Sequence, residues 1–548
     1  MTAWGGFWAV GGYAGFDGNA TSSSASASHN EVVIENTLVN YYISATHSGI
    51  YGGYIAKATD NTPNTANHNK VTIGKDSLLT KHDYSEFNLY GGFINGGGAS
   101  PTERDAYTGN TLSLAGGRGG DTHRITNLGN FQKLHFLLTD EIGDGNTLLH
   151  ADFITLTQDA PDPTTAKYGV TAIDMTAGNT MAKDDVVTLL KAETWFHMNT
   201  ALDGTTVSGT KGLSQIADFE LIHGAGTDIL QARLLGLRDN ERIEKLLDGQ
   251  LATLAFINEV SDLVVRQAAY EAEKEEAGPI SFITSRGGKS NYYTGTTIEV
   301  QGFHFLTGLG HSFHLNEGAD GKFIVASFFE TGSGSYELGG PISGGGNTHY
   351  HGGGVFAHYS SPLDFHIDAS LRGGRVNTEF SSDEMLETSP GRSVDYEINT
   401  PYYAAHVSLG KVWTLNDSLS LNTFTKYLWA KHEGGNVNIM NEKYHFNSVD
   451  SHRWRNGARL TYEVTAANEG VAKLFVGATH DYEFSGKAKG KVNGKEIGEM
   501  SLQGSTFIME TGVSLSHPDY PVSLDFDVAG YTGKREGLSA TAGLRFEF

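Results

Sequence analysis

The chain has 548 residues, which is too long for one ordinary hydrophobic core and predicts two or three domains. Its 70 glycines and 11 prolines favour strands and turns over helices. The formal net charge of -24 excludes nucleic acid as a partner, because binding to phosphate backbones needs clustered Lys and Arg. The absence of cysteine excludes disulfide frameworks and thiolate metal sites.

The start of the chain has no basic region and no sustained apolar run, so no secretion signal is visible and we expect a mature or truncated form. Residues 1–128 contain three copies of a unit of about forty residues. Each copy carries a Gly-Gly-aromatic segment (Gly11-Gly12-Tyr13, Tyr51–Ile55, Tyr90–Ile94) and an Asn-led segment (Asn30–Ile34, Asn69–Ile73, Asn110–Leu114). Two short strands per copy predict a right-handed β-helix-like solenoid that buries Val33, Tyr54, Val71 and Phe93. An ordinary β-sandwich is the alternative.

Residues 129–225 lose the repeat and are predicted to cap the solenoid, because an open β-helix exposes strand edges. From about Asp239 to Glu276, apolar residues recur at spacings of three and four, which predicts a long helix ended by Gly278-Pro279. Its charged residues exclude contact with lipid. The helix therefore packs on a soluble domain or lies inside something polar.

After Pro279 the chain is typical of strands with one apolar and one polar face. The last eleven residues alternate strictly, with Leu538, Ala540, Ala542, Leu544, Phe546 and Phe548 on one face. Twelve such segments start near residues 280, 296, 322, 349, 363, 401, 418, 451, 472, 504, 521 and 538. An even number of strands is typical of a single-chain outer-membrane β-barrel.

The polar faces predict the residues that line the barrel interior. The expected lumen residues are Glu330, Arg372, Arg453, Arg455, Arg459, Glu483, Asp525 and Asp527, and the same faces place Asp364, Asp368, Asp481, Glu510 and Glu547 there. Carboxylates and arginines in one confined space are expected to pair. Aromatic residues near strand ends are expected to form girdles at the membrane interfaces, namely Tyr359, Tyr403, Trp413, Trp429, Trp454, Tyr482 and Tyr531.

Over about 300 residues the chain resembles an autotransporter, a type V secreted protein of Gram-negative bacteria with an amino-terminal passenger and a carboxyl-terminal translocator. The resemblance lies in Gly302–Gly308, Ser327–Gly332, Tyr350–Gly354, Leu371–Arg375, Ser451–Arg459, Tyr482–Phe484 and Gly530–Gly537, and in Gly249–Asn258 for the linker helix. The expected fold class is all-β with one long helix: a β-helical passenger and a helical linker threading a 12-stranded antiparallel transmembrane barrel.

The resemblance implies four regions: passenger repeats at 1–128, a passenger cap at 129–225, a helical linker in the barrel lumen at 226–278 and the translocator barrel at 279–548. It implies that Asn258, Glu259, Asp262 and Arg266 of the linker lie in the lumen. Phe548, with Phe546, is expected to act as the assembly signal read by the barrel-assembly machinery. The implied partners are outer-membrane lipid, that machinery, periplasmic chaperones and a surface ligand on a host or neighbouring cell, with a monomeric barrel.

Some members of this family cleave their passenger at a linker asparagine. Asn258-Glu259 matches by position only, because the paired asparagines of the cleaving subgroup are missing, so we expect an uncleaved passenger. We find no hydrolase elbow, zinc-protease helix, P-loop or EF-hand in the passenger and predict no enzyme activity. His349, His351 and His358 lie close in sequence, but we expect them to be solvent-exposed and assign no metal, cofactor or catalytic residue. A surface adhesin is the leading hypothesis; a surface enzyme and a simple porin are the alternatives.

Overall fold

The computed structural model describes residues 2–3, 8–14, 25–41, 48–56, 63–82, 85–95, 104–197, 202–223, 228–271, 278–316, 319–386, 393–466 and 469–547. The chain divides into two compact units, with the main boundary between Asn240 and Glu241. Both consist mainly of strands, which confirms the predicted fold class.

The described residues of the first unit form twenty strands. They are β1 (Thr2–Ala3), β2 (Trp8–Ala14), β3 (Ala25–Ser26), β4 (Glu31–Ile34), β5 (Leu38–Tyr41), β6 (Gly49–Ile55), β7 (Asn64–Thr65), β8 (Lys70–Ile73), β9 (Leu78–Lys81), β10 (Asn88–Ile94), β11 (Arg104–Asp105), β12 (Thr111–Ala115), β13 (His123–Gly129), β14 (Lys133–Leu138), β15 (Thr147–Thr155), β16 (Gly169–Met175), β17 (Val186–Phe196), β18 (Thr206–Lys211), β19 (Gln215–Ile222) and β20 (Ile229–Asp239). A short 3-10 helix covers Arg118–Gly120.

Equivalent strands of successive copies stack in parallel, as a solenoid requires. β2, β6, β10, β13, β15 and β17 form one run, and β4, β8, β12, β14, β16 and β18 form another. The register follows the sequence repeat, since Val10 pairs with Tyr51 and Tyr51 with Tyr90. The smaller sheets β1-β5-β9 and β11-β7-β3 complete the rungs.

Two features of the repeat explain why its Gly and Asn positions recur. A Cβ at Gly53 would lie 1.9 Å from the carbonyl oxygen of Ala27, and one at Gly92 would lie 1.8 Å from that of Ala66, so only glycine allows this approach. The asparagine side chains link successive rungs: the Asn69 Oδ1 accepts from the Asn30 N–H at 2.9 Å, and the Asn110 Oδ1 accepts from the Asn69 N–H at 2.8 Å. Buried backbone donors are thereby satisfied.

The core of the first unit runs along the stacked rungs and includes Val32, Val71, Leu112, Leu134 and Phe136. Tyr54 and Val71 are buried and Phe93 is half-buried, as expected. The expectation for Val33 is wrong, because its side chain is 50% exposed and Val32 is buried instead. Val32 pairs with Val71, so Val33 corresponds to the outward-facing Thr72, and a shift of one residue reverses the face of a strand.

The far end of the solenoid is closed by antiparallel strands. β20 pairs with β17 and β19, and β19 pairs with β18, so the two parallel runs join into one 14-stranded sheet. This arrangement covers strand edges that would otherwise be exposed. β20 extends to Asp239, so the first part of the predicted linker at 226–278 is a strand of this unit and the expected helical boundary there is wrong.

The second unit is a closed barrel of twelve antiparallel strands, as predicted. They are β21 (Gly278–Tyr293), β22 (Thr297–Asn316), β23 (Ala319–Leu338), β24 (Gly344–Ser360), β25 (Phe365–Ser382), β26 (Val394–Asn416), β27 (Leu419–His432), β30 (Val449–Thr465), β31 (Val471–Glu483), β34 (Gly504–His517), β35 (Tyr520–Gly533) and β36 (Arg535–Glu547). β36 closes the barrel on β21, with Phe546 opposite Ser281.

Successive barrel residues alternate between a buried polar interior and an exposed apolar exterior. Leu309 and Leu538, for example, are 69% and 64% exposed. Two expectations about faces are wrong: Asp364 lies in an exposed turn at positive φ and not in the lumen, and Tyr531 faces the interior and not a membrane interface. Asp364 precedes the first residue of β25, so the alternation of that strand does not apply to it.

Four further strands extend two of the barrel connections: β28 (Gly435–Ile439), β29 (Glu442–Phe446), β32 (Lys487–Val492) and β33 (Lys495–Ser501). They form one sheet in the order β28-β29-β32-β33, which we call the mouth sheet. Tyr444, Phe446 and Ala488 are buried in it. The Phe446 ring lies 5.3 Å from the ring of Tyr396 on β26, so the mouth sheet packs at this end of the barrel.

Helix α1 (Leu246–Glu271) follows a 3-10 helix at Glu241–Lys245. It has 26 described residues and begins later than the Asp239 expected from periodicity, whereas residues 272–276 of the expected range lie outside the described residues. Asp239, the expected start of the helix, is the last residue of strand β20. Among the residues described, none of the helical segments has the length and apolarity needed to span a bilayer.

We predict that the first unit loses stability in acid through His123. Its Nδ1 accepts a 3.1 Å hydrogen bond from the Leu79 N–H, and its Nε2 lies 3.0 Å from the Ala115 carbonyl oxygen. Burial lowers the pKa of His123 to about 4, although the bond to Ala115 opposes the shift. Between pH 6.5 and pH 4 only the unfolded chain binds this proton, so about 3 kcal/mol should be lost as pH falls through that window.

The measurement is guanidinium unfolding of the detergent-solubilised chain at pH 7 and pH 4, followed by hydrogen exchange in the β13 segment. His123→Gln should reduce the difference between the two pH values. The exposed His197→Gln is the control and should leave it unchanged. An equal pH dependence in wild type and His123→Gln would contradict the prediction.

Candidate functional site in the barrel lumen

Helix α1 lies inside the barrel, and its residues 246–266 are buried. Asp248, near its start, accepts hydrogen bonds from Thr294 (3.2 Å) and Thr296 (3.3 Å), at the turn between β21 and β22. The mouth sheet belongs to the same end, where a Cβ at Gly498 would lie 2.5 Å from Glu244 Oε1. The helix therefore begins at the barrel end with the longer connections and runs towards the end with the short turns.

The first two turns of α1 are held by neutral and charged hydrogen bonds. Lys245 Nζ lies 3.1 Å from Asp248 Oδ2 and donates to Thr296 Oγ1 at 2.5 Å. The Tyr396 hydroxyl donates to the Leu246 carbonyl oxygen at 3.0 Å. Thr253 Oγ1 and Thr378 Oγ1 lie 2.7 Å apart. Because these groups are buried, each bond also removes the cost of an unsatisfied polar group.

The middle of the helix fits the wall by shape. Phe256 packs against His304 with a ring distance of 4.4 Å and against Tyr350 at 5.7 Å. A Cβ at Gly302 would lie 2.4 Å from the Phe256 ring, and one at Gly334 would lie 2.6 Å from it. These two glycines on β22 and β23 form a notch in the barrel wall. The Phe256 ring fits there because neither glycine has a side chain.

Two helix carboxylates meet wall arginines one turn below Phe256. Asp262 lies 3.1 Å from Arg453, 2.8 Å from Arg455 and 3.3 Å from Arg535. Glu259 lies 2.8 Å from Arg535 and accepts from the Tyr292 hydroxyl at 3.2 Å. Asp481 on the wall also contacts Arg453 and Arg455, at 3.3 and 2.7 Å. Every charge in this cluster therefore has an opposite partner, as burial demands.

The sign of the pairing reverses further down the helix. Arg266 forms ion pairs with Glu510 on β34 and Asp527 on β35. Glu510 also contacts Arg459 at 2.8 Å. The helix thus presents two acids and then a base to a wall that presents bases and then acids.

A second contact fastens the opposite side of the helix. Arg372 on β25 donates to the Ile257 carbonyl oxygen at 2.9 Å and to Ser261 Oγ at 2.5 Å. The same guanidinium pairs with Glu330 at 2.8 Å, and Glu330 also accepts from the Tyr402 hydroxyl. Arg372 therefore links the helix backbone to the wall.

Apart from Asp364 and the undescribed side chain of Glu547, the lumen residues expected from alternation lie in the interior, but they do not form one site. Asp525 pairs with Arg545 at 2.8 Å, away from the helix contacts above. Glu483 accepts from the His452 N–H at 2.8 Å and from Ser451, whose Oγ also accepts from the Asn258 side-chain amide at 3.1 Å. Phe546 lies in β36 and is half-buried. Phe548 and the side chain of Glu547 lie outside the described residues.

Sequence reasoning missed Arg535, which pairs with both helix carboxylates, and the buried Arg286 on β21, which donates to Tyr531. Extending the alternation of the last strand back from Arg545 places Arg535 on the same face, so that signal was present. The three histidines that lie close in sequence do not lie together: His349 and His351 are exposed on the outside of the barrel, and His358 is buried inside it.

Comparison with known proteins gives matches among solved structures. The chain is similar to the β domain of the Bordetella autotransporter BrkA (14% identity, 49% of this chain, 99% of that chain, TM-score 0.41). It is also similar to the translocator domain of NalP from Neisseria meningitidis (11%, 54%, 97%, 0.42) and the transport unit of AIDA-I from Escherichia coli (12%, 50%, 92%, 0.37). No family model and no curated protein matches the chain.

The barrel itself determines the location. Its twelve strands form a closed barrel, and exposed apolar side chains cover its outside, including Leu309, Phe329, Leu371, Leu409 and Leu538. A closed barrel has no free strand edge and satisfies its backbone hydrogen bonds within lipid. The predicted outer-membrane location of the barrel is confirmed.

We predict that Asp262→Asn loosens the helix and opens the pore. Removing one partner from a buried ion cluster costs about 3 to 5 kcal/mol, because charges stay behind without compensation. Here Arg453, Arg455 and Arg535 all lose a carboxylate. Planar-bilayer recordings should show opening events more often in the variant than in the wild type.

Deletion of residues 241–271 gives the fully open reference, and Asp519→Asn in an exposed turn is the matched control. Folding of each variant is checked by the mobility of the unheated protein in detergent gels. A folded Asp262→Asn barrel that stays closed as often as the wild type would show that this cluster does not hold the helix.

Proposed function

We propose that this protein is an autotransporter whose barrel anchors it in the outer membrane and whose first 240 residues are displayed on the cell surface as a passenger. The observation that carries the proposal is the direction of α1 inside the lumen. The helix begins beside Thr294 and Thr296, at the end with the longer connections, and leads down to the first barrel strand.

Barrel topology supports the outward direction. An even number of strands puts both ends of the barrel chain at the same rim, and in outer-membrane barrels the short turns lie in the periplasm. Strand β21 starts and β36 ends at this rim. A chain that continues from there up through the lumen leaves the barrel at the outer face. The residues before α1 are then outside the cell.

We further propose that the passenger acts by binding and not by catalysis, as an adhesin for a ligand on a host or neighbouring cell. The stacked rungs place polar side chains next to one another at the spacing of adjacent strands. His29 and His68 stack with a ring distance of 5.0 Å, and Glu31 and Lys70 form an ion pair at 3.0 Å. Such a regular, extended surface suits an extended ligand such as a glycan.

The partners proposed for the barrel follow from the same function. Outer-membrane lipid surrounds the apolar exterior, and the barrel-assembly machinery with periplasmic chaperones delivers the unfolded chain. A barrel closed on itself leaves no edge for pairing, which supports a monomer. The occupied lumen does not support a simple porin.

We predict that a peptide tag inserted at Asp162–Thr165 is reached by antibody on intact cells. These residues form an exposed turn of the first unit. The matched control is the same tag after Asp519, in a short barrel turn, which should be reached only after the outer membrane is permeabilised. After boiling, the tag should migrate with the full 58.9 kDa chain and be absent from the medium.

Two outcomes would contradict this assignment. Equal labelling of both tags on intact cells would contradict the proposed orientation. Labelling of the second tag alone would show the opposite orientation. A tagged fragment of about 25 kDa in the medium, a size that corresponds to a domain of the passenger's length, would show that the passenger is cleaved and that Asn258-Glu259 deserves substitution.

We predict that deletion of Phe548 reduces the amount of folded barrel in the outer membrane. The proposed assembly machinery reads the terminal aromatic residue, whereas the barrel wall is built by residues up to Glu547. Phe548→Tyr, which keeps the ring, is the control and should assemble like the wild type. Undiminished assembly of the deletion variant, measured in outer-membrane fractions, would remove this role.

A further inference from the structure

Three potential metal-binding side chains meet inside the barrel near the short-turn end. His358 on β24 lies opposite Asp368 on β25 in the strand pairing, and His366 is two residues before Asp368 on the same face. His358 Nδ1 lies 2.5 Å from Asp368 Oδ1, and His366 Nδ1 lies 3.4 Å from Asp368 Oδ2. One donor atom from each of the three lies within 4.8 Å of the others.

The outer nitrogens of both rings have partners that turn the inner nitrogens towards the carboxylate. His358 Nε2 lies 2.6 Å from Ser360 Oγ, and His366 Nε2 lies 3.0 Å from Asn422 Oδ1. An amide oxygen only accepts, so His366 donates from Nε2, and in the neutral ring Nδ1 then carries a lone pair. That buried Nδ1 has no hydrogen-bond partner and points at a carboxylate. A lone pair facing an anion is stable when a cation lies between them.

We propose that His358, His366 and Asp368 bind one divalent transition-metal ion, with Zn²⁺ as the best fit, reached from the short-turn end of the lumen. Two imidazoles and one carboxylate are a donor set that zinc accepts, with the fourth position left for water. Tetrahedral bonds of about 2.0 to 2.1 Å place donor atoms about 3.3 Å apart. The His366–Asp368 distance already fits, and the His358–Asp368 pair must open by less than about 1 Å.

The surroundings supply space and orientation. A cavity of about 460 Å³ borders the two histidines and is also lined by Asp364 and Asp417 in turns and by Glu463 on β30. Ser360 and Asn422 hold the rings as second-layer partners do in metal sites. The positive charge of Lys426, which is buried nearby on β27, repels a metal cation. Replacing Lys426 should therefore tighten zinc binding. The proposal departs from the expectation that the chain has no metal site. The sequence did not indicate this site, because only the pairing of β24 with β25 brings His358 close to His366 and Asp368.

The test uses the full chain in detergent, purified without a polyhistidine tag, stripped with a chelator and titrated with Zn²⁺ in a calorimeter. We expect one zinc per chain. His366→Gln and Asp368→Asn should weaken binding at least about tenfold, and Asn422→Ala should weaken it about tenfold through the lost ring orientation. Lys426→Gln should tighten it. The matched controls are His406→Gln, a buried lumen histidine outside the cluster, and the exposed His349→Gln.

Co²⁺ gives a second readout that does not depend on the variants. A tetrahedral site with these donors should produce visible absorption in the wild-type chain, and Zn²⁺ should remove it. Unheated gel mobility verifies that each variant is a folded barrel. The proposal is overturned if the wild type takes up no zinc and gives no cobalt spectrum, or if the cluster variants bind zinc as tightly as His349→Gln and His406→Gln.

Discussion

The structure of the second unit depends on one constraint: a charge buried inside the barrel must be paired. Glu259, Asp262 and Arg266 are carried into the lumen by the helix, where an isolated charge would cost several kcal/mol. Each of these charges forms an ion pair with an opposite charge on barrel strand β30, β34, β35 or β36. The arginines and acids on these four strands that contact the helix are therefore explained by the charges that the helix carries.

The order of the charges also fixes the depth and rotation of the helix. Glu259, Asp262 and Arg266 are spaced by three and four, so they share one face. A shift of one turn, about 5.4 Å, would carry Arg266 towards the arginines that now hold Asp262. Such a shift would replace attraction with repulsion, so the pattern stabilises one position against its neighbours. A single pair would not discriminate in this way.

Much of this unit could be predicted from alternation alone. The period of two identifies all twelve barrel strands and the inward direction of Arg372, Arg453 and Asp527, because one face of each strand must meet lipid. It fails where a residue leaves the strand, as Asp364 does, and where a repeat can be aligned in two ways, as at Val33. The mouth sheet was missed because its short strands alternate like barrel strands and pair only with each other.

Partner choice could not be predicted, because it depends on register across the closed barrel. Arg535 and Glu259 are 276 positions apart, and alternation gives the face of each but not their height. The notch at Gly302 and Gly334 is subject to the same limit: both glycines were visible, yet their role exists only once Phe256 lies against them. A wall shaped for one helix side chain, in addition to carrying its opposite charges, is not needed by an open pore. Shape and charge therefore favour the same position of the helix in the folded barrel, the one in which Phe256 lies in the notch and each buried helix charge is paired.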